Sequence, residues 1–264
     1  MLQARIVEAP VRPSGNLPLD LIMGAEPVVA APRCETAPAS RCARCPVRGL
    51  SVCAALELTD LERLDALAET ITFRAGRTIF VEGEIAASVY TVKSGTLRLY
   101  RILPDGRRQI VGFVTAGDFI GLSLSERCAY SADAIDDAVV CRFDRAAYVN
   151  FVSQTPRLLR RLHEATSHEL TLAQDHMVLL GRRSAEEKVA TFLLSLRERM
   201  RRLGASVVTL ALPMSRTDLA DHLGLTIETV SRVISKLGRE RVLLVVPNGV
   251  RILNPEELER RAEH

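Results

Sequence analysis

No stretch of this sequence approaches the roughly 18–20 uninterrupted apolar residues that a membrane-spanning helix requires. The apolar segment near Leu17–Ala31 is broken by Pro18, Asp20, Glu26 and Pro27. Neither a membrane span nor a signal peptide is expected, and the chain is read as cytoplasmic. Histidine is scarce too: His163, His168, His176, His222 and His264 are the only five, and all lie outside the glycine-punctuated region where β-structure is expected. That absence excludes a barrel enzyme or cupin built on a His-rich metal centre. No nucleophile stands beside a credible base, so catalysis is not expected.

What is present is enough for two globular domains: 264 residues, 47% hydrophobic and 25% charged. The net charge of +3 is unevenly spread, because residues 183–254 hold 12 Lys and Arg against 7 Asp and Glu, a local excess of five. A compact basic region points to an anionic partner. The six cysteines, in a reducing compartment, read as ligands or reactive thiols rather than disulfides.

Residues 1–33 carry five prolines without periodicity and read as a poorly ordered arm. Leu58, Leu61, Leu64 and Ala68 keep helical spacing behind Thr59, the expected N-cap. Between Ile71 and Tyr148 short β-prone runs (Ile79–Val81, Val89–Val92, Thr96–Ile102, Ile110–Val114, Ala138–Phe143) alternate with glycine turns, which predicts an antiparallel barrel or jelly roll. Pro156 then opens a helix on which Leu159, His163, Thr166, Leu170, Ala173, Met177 and Leu180 recur at steps of four and three, a heptad seam suited to pairing two chains. The same spacing also fits a helix packed on its own barrel.

Three cap signals follow. Ser184 with Glu187 forms a capping box, Ser215 with Asp218 forms another, and Thr226 caps Ile227–Arg239 after the Gly224-Leu225 turn. In the last helix Ile227, Val230, Val233, Ile234 and Leu237 are expected to face the core, leaving Glu228, Ser231 and Arg232 on the opposite side. Carboxylate, hydroxyl and guanidinium are the groups that read cytosine, either base, and guanine in a major groove. Thr226, Arg216 and Lys236 are further candidates for contact with DNA, the two cations at phosphates. Val242–Val246 and Val250–Leu253 flank Asn248-Gly249 and read as a β-hairpin wing.

With these pieces assembled, the chain resembles the cyclic AMP receptor protein superfamily, in particular the branch of the fumarate and nitrate reductase regulator (FNR) and the nitrogen-fixation regulators. The resemblance covers about residues 40 to 254 and is carried by Val92-Lys-Ser-Gly95, Ala116-Gly-Asp118, Ala185-Glu-Glu-Lys188-Val-Ala190 and Leu225-Thr-Ile-Glu228-Thr-Val-Ser231-Arg232. It implies an α+β chain of four parts: an arm and cysteine loop over 1–55, a jelly-roll sensor domain over 56–155, a dimerisation helix over 156–182, and a winged helix-turn-helix domain over 183–264. It further implies a homodimer joined through Leu159, Leu170, Ala173, Met177 and Leu180, an inverted-repeat site in double-stranded DNA resembling TTGAT and ATCAA, and RNA polymerase as a partner. A cyclic-nucleotide sensor on the same fold is the main alternative, but Cys128 replaces the hydroxyl residue of the phosphate cassette and Asp118 its usual Glu.

Cys42, Cys45 and Cys53 form a C-x2-C-x7-C array on a Pro- and Gly-containing loop. Three soft ligands require a fourth, and spacing alone does not choose among Cys34, Cys128 and Cys141. The resemblance maps the set onto Cys42, Cys45, Cys53 and Cys141 and implies a 4Fe-4S cluster. Zinc asks for nearly the same ligands, and a metal-free thiol site is the third option. Arg41, Arg44 and Arg48 are expected to favour thiolates nearby.

Overall fold

The computed structural model describes residues 40–121, 126–204 and 208–263. The expected N-terminal arm and Cys34 lie outside the described residues. The first described segment is a loop with two single-turn 3-10 helices, Arg48–Leu50 and Val52–Ala55, the second capped by Ser51 Oγ accepting from the Cys53 amide. Helix α1 (Leu58–Leu67) follows and buries Leu61 and Leu64. Its N-cap is Glu57 rather than Thr59, and no side chain satisfies the freed amides there.

Eight strands then build two facing four-stranded antiparallel sheets, the expected jelly roll. They are β1 (Ala68–Phe73), β2 (Thr78–Phe80), β3 (Ser88–Ser94), β4 (Leu97–Ile102), β5 (Arg108–Val114), β6 (Phe119–Ile120), β7 (Ser131–Ala134) and β8 (Ala138–Asp144). One sheet runs β1-β8-β3-β6 and the other β2-β7-β4-β5. Val92, Leu97, Ala132, Ala138 and Val140, all essentially inaccessible, fill the space between them.

Helix α2 (Arg145–Ser153) was not anticipated, although Asp144 caps it through the Ala147 amide and Tyr148, Phe151 and Val152 sit at helical spacing. Helix α3 (Pro156–Arg182) begins at the proline as expected, since a first-turn residue needs no amide donor. Its 27 residues span about 40 Å. Leu158 and Leu162 anchor its start in the core beneath α1 and α2. Leu159, Leu170 and Met177 stay 54%, 60% and 64% exposed, so an apolar strip runs along a helix that buries only its two ends.

Helix α4 (Ala185–Arg202), β9 (Thr209–Ala211), α5 (Arg216–Leu223), α6 (Ile227–Arg239) and the hairpin β10 (Leu243–Val246) and β11 (Gly249–Ile252) complete the winged unit, with sheet order β10-β11-β9. The chain then closes with helix α7 (Pro255–Glu263), which buries Leu258 and Ala262 against α4. Leu180, placed on the pairing seam from its spacing, packs instead against the core of this unit, with its Cδ2 3.4 Å from where a Cβ on Gly224 would lie. The last turn of α3 is therefore committed to its own chain. Among the described residues no helix is long and apolar enough to cross a membrane.

Candidate nucleic-acid interface and cysteine cluster

The helix-turn-helix is held by its caps. Ser215 and Asp218 close a reciprocal capping box on α5, Gly224 ends it at φ +61° where a side chain would be strained, and Thr226 Oγ accepts from the Thr229 amide to start α6. Val230, Ile234 and Leu237 point inward. Ile227, expected in the core, is 43% exposed, because the first turn of α6 projects past the packed surface.

Glu228, Ser231 and Arg232 all lie exposed, together with Thr226. Arg232 donates from Nη2 to Thr229 Oγ1 at 3.2 Å, and Thr229 Oγ1 lies 3.0 Å from Thr226 Oγ1, so a chain of hydroxyls orients the guanidinium. The Glu228 carboxyl is held below its usual range by its own backbone amide, with Thr226 and Arg232 contributing. The face thus offers an ionised acceptor, a hydroxyl and a fork of donors within one and a half turns.

The two expected phosphate cations sit differently. Lys236 donates to Glu186 at 2.5 Å, and Arg261 binds the same carboxylate, which ties α6 and α7 to the first turn of α4. The Arg216 guanidinium is half-buried, and its Nη1 has no hydrogen-bond partner among the described residues. Lys236 is thus held within its own chain, although its side chain stays 43% exposed. Sequence spacing gives no sign of this, because Glu186 lies 50 residues from Lys236.

The cysteine loop is pinned at its start by Arg41, whose amide and Nε bind the two oxygens of Asp65 at 2.8 and 3.0 Å. Arg48 donates to the Leu56 carbonyl at 3.0 Å. Both arginines are thereby used on the fold, and Arg41 also favours the Cys141 thiolate. Val52 and Leu56 lie in one core with Leu158 and Leu162 of α3, and Cys42, Cys53 and Cys141 line its edge. Cys141 reaches that place because β8 runs between β1 and β3, opposite Thr70 and Thr91.

Cys42, Cys45, Cys53 and Cys141 are close enough that every pair acts electrostatically on the other. Burial, with Asp65 next, pushes the Cys42 thiol up to about 12, and burial raises Cys53 and Cys141 as well. A metal entering here must displace protons. Cys128 lies apart, bonded through its backbone to Gly83 and Glu84 and influenced by Glu84 and Arg145 rather than by another cysteine. Among the described residues no group of three or more His, Cys, Asp or Glu is arranged to hold a metal ion.

Asp118, which stands where the cyclic-nucleotide alternative expects Glu, accepts from the Thr115 amide at 2.7 Å and from Arg199 of α4 at 2.8 Å. Arg127 donates to the Gly83 carbonyl at 2.7 Å. Gly117, at φ +94°, lies against the loop: a Cβ there would start 2.9 Å from Leu50 Cβ.

Residues 70–155 match a family model described as cyclic nucleotide-binding domain, and residues 187–261 one described as Crp-like helix-turn-helix domain. The transcriptional activatory protein AadR of Rhodopseudomonas palustris is 47% identical over 230 residues, covering 87% of this chain and 93% of its own length. The nitrogen fixation regulation protein FixK of Bradyrhizobium diazoefficiens is 48% identical over 221 residues, covering 84% and 93%. The solved structure of FixK2 from Bradyrhizobium japonicum superposes with a TM-score of 0.69 at 39% identity, covering 73% of this chain and 96% of that one. These relatives are regulators rather than enzymes.

Proposed function

We propose, from the premise that this chain belongs to the CRP/FNR family of DNA-binding transcription regulators, that it activates transcription as a homodimer on an inverted repeat and responds to oxygen through an iron–sulfur cluster on Cys42, Cys45, Cys53 and Cys141. The observation that carries the DNA reading is the exposed Glu228, Ser231 and Arg232 face on the capped helix α6. Such a face, presented twice by a symmetric pair, reads two half-sites one duplex turn apart. The strip of Leu159, Leu170 and Met177, with Ala173 between, is the surface on which two α3 helices meet.

Four cysteines near one another suit zinc or a 4Fe-4S cluster alike, and the likeness to FNR-type regulators favours the cluster. When bound, it would tie the loop to β8 by four iron–thiolate bonds and would be the oxygen-labile part of the protein. The chain's own contribution is to seat Val52 and Leu56 on Leu158 and Leu162, so the order of the loop and of the first turns of α3 stand or fall together. AadR and FixK are named as activatory and nitrogen-fixation regulators, which favours activation of transcription, with RNA polymerase as the partner.

The test is anaerobic purification with iron and sulfide analysis, sedimentation, and a DNA-shift assay on a TTGAT/ATCAA repeat before and after air. The expected result is about four irons per chain, a dimer, and binding that air abolishes. Iron-free protein that still binds the repeat removes the sensor and leaves a cluster-free regulator. No binding to any such repeat removes the DNA-site reading.

A further inference from the structure

The β4–β5 hairpin of the jelly roll reaches onto α5, the first helix of the reading unit, and makes a layered ionic contact there. Asp218 is at its centre and uses its two oxygens for different work. Oδ2 serves the helix cap, accepting from Ser215 N at 2.9 Å and Ser215 Oγ at 2.7 Å. Oδ1 faces the jelly roll and accepts from Arg98 at 2.9 Å and Arg108 at 2.7 Å. Arg98 also holds Asp133 of β7 at 3.2 Å, and Arg108 holds Asp221 of α5 through Nε and Nη2 at 2.9 and 2.7 Å.

Gln109 donates to the Asp221 carbonyl at 2.8 Å, and Arg199 of α4 binds Asp118 and the Phe113 carbonyl at 2.8 and 2.9 Å. Phe113 packs edge-on against Phe192 and His222 beside these bonds. The Asp218 side chain is only 4% exposed.

Two general arguments say what such a network does. A buried ion pair adds little net stability, because desolvation offsets the attraction, but an arrangement that leaves a buried charge unpaired is strongly disfavoured. The network therefore selects one orientation of the reading unit rather than strengthening its fold. In that orientation the Glu228–Arg232 face and the α3 strip are both exposed, so the geometry is one in which pairing and reading are compatible.

We infer that Arg98, Arg108, Asp218 and Asp221 are positioning residues for DNA binding: the β4–β5 hairpin fixes the angle between α6 and α3 and thereby the distance between the two half-sites that a pair of chains reads. None of the four touches DNA in this assignment. It rests on the paired reading proposed above.

The pair Arg108–Asp221 tests it, because Asp221 is outside the capping box. Arg108→Glu and Asp221→Arg are each expected to weaken binding of the full chain to a TTGAT/ATCAA duplex by about tenfold while a single half-site duplex loses no more than about threefold, since only simultaneous engagement depends on geometry. The double variant Arg108→Glu/Asp221→Arg is expected to restore the repeat to within about threefold. Melting temperature and sedimentation are read on the same samples. Single variants that bind the repeat as tightly as the unaltered chain overturn the inference. So do single variants that lose repeat and half-site equally with a lower melting temperature, which marks a damaged head rather than a turned one. An unaltered chain that shows no preference for the repeat over one half-site fails earlier, at the pairing, and takes this inference with it.

Discussion

His176 of α3 and His222 of α5 stack face to face, ring centroids 4.3 Å apart and planes 14° from parallel. Two imidazoles that close cannot both carry charge without cost. Burial lowers His222 to about 4, with His176 adding to the effect, and burial lowers His176 also. The groups around them are the Ile110 carbonyl of β5, 3.2 Å from His222 Nδ1, the rings of Phe113 and Phe192, and Lys188 of α4, whose charge further opposes protonation of His176. A folded-state value depressed from 6.5 means that the unfolded chain binds the proton first. The stability due to His222 is therefore full above about pH 6.5 and is lost as pH falls towards about 4. Urea midpoints measured across that range are expected to decline, and His222→Phe is expected to flatten the decline; an unchanged slope in that variant would place the titration elsewhere.

Substituting Arg232 by Ala is expected to relax preference at one base pair of each half-site, at about 1–3 kcal/mol per lost contact. Binding to a panel of single-base variants of the repeat checks this. An even loss across the panel would reassign Arg232 to a phosphate.

Lys236→Ala is expected to leave the dependence of log affinity on log salt unchanged, because the ammonium is spent on Glu186. Its effect falls on stability and is small, about 0–1 kcal/mol, since Arg261 still holds that carboxylate. A salt slope reduced by about one charge would show that Lys236 leaves Glu186 for the DNA.

Gly117→Ala introduces a side chain at φ +94° and against Leu50 Cβ. The expected cost is about 1–3 kcal/mol for the backbone conformation alone, with the loop displaced in addition. Faster reaction of Cys42 and Cys53 with a thiol reagent, together with a lowered thermal midpoint, is the expected pair of readouts. A lowered midpoint with unchanged thiol rates would mean that the turn moves and the loop stays.

Much of the reading unit is legible in the sequence because its signals are local. Ser215 and Asp218, Gly224, and Thr226 with Thr229 each state a helix end within four residues, and the structure uses every one. The same locality explains why Leu180 misleads: its spacing matches the strip of α3, but Gly224 and the core beyond it claim the side chain from far along the chain. Lys236 looks like a free cation for the same reason, since a charge declares itself in sequence and its partner Glu186 does not. Helices α2 and α7 had usable signals in Asp144 and in Asn254-Pro255, where Asn254 Oδ1 accepts from the Glu257 amide, and an acidic composition hid the second. Among the cysteines, spacing isolates Cys42, Cys45 and Cys53, whereas the neighbourhood of Cys141 depends on the register of β8 against β1 and β3.

The loop's place in the core sets an order of events during synthesis. Cys53 leaves the ribosome 88 residues before Cys141 (141 − 53), and Leu158 and Leu162 come later still. At 5–20 residues per second the thiols of Cys42, Cys45 and Cys53 wait on the order of 5–20 s for Cys141. A nascent chain thus exposes the three loop thiols to whatever the surrounding solution contains, and only a finished jelly roll with the start of α3 behind it brings Cys141 beside them.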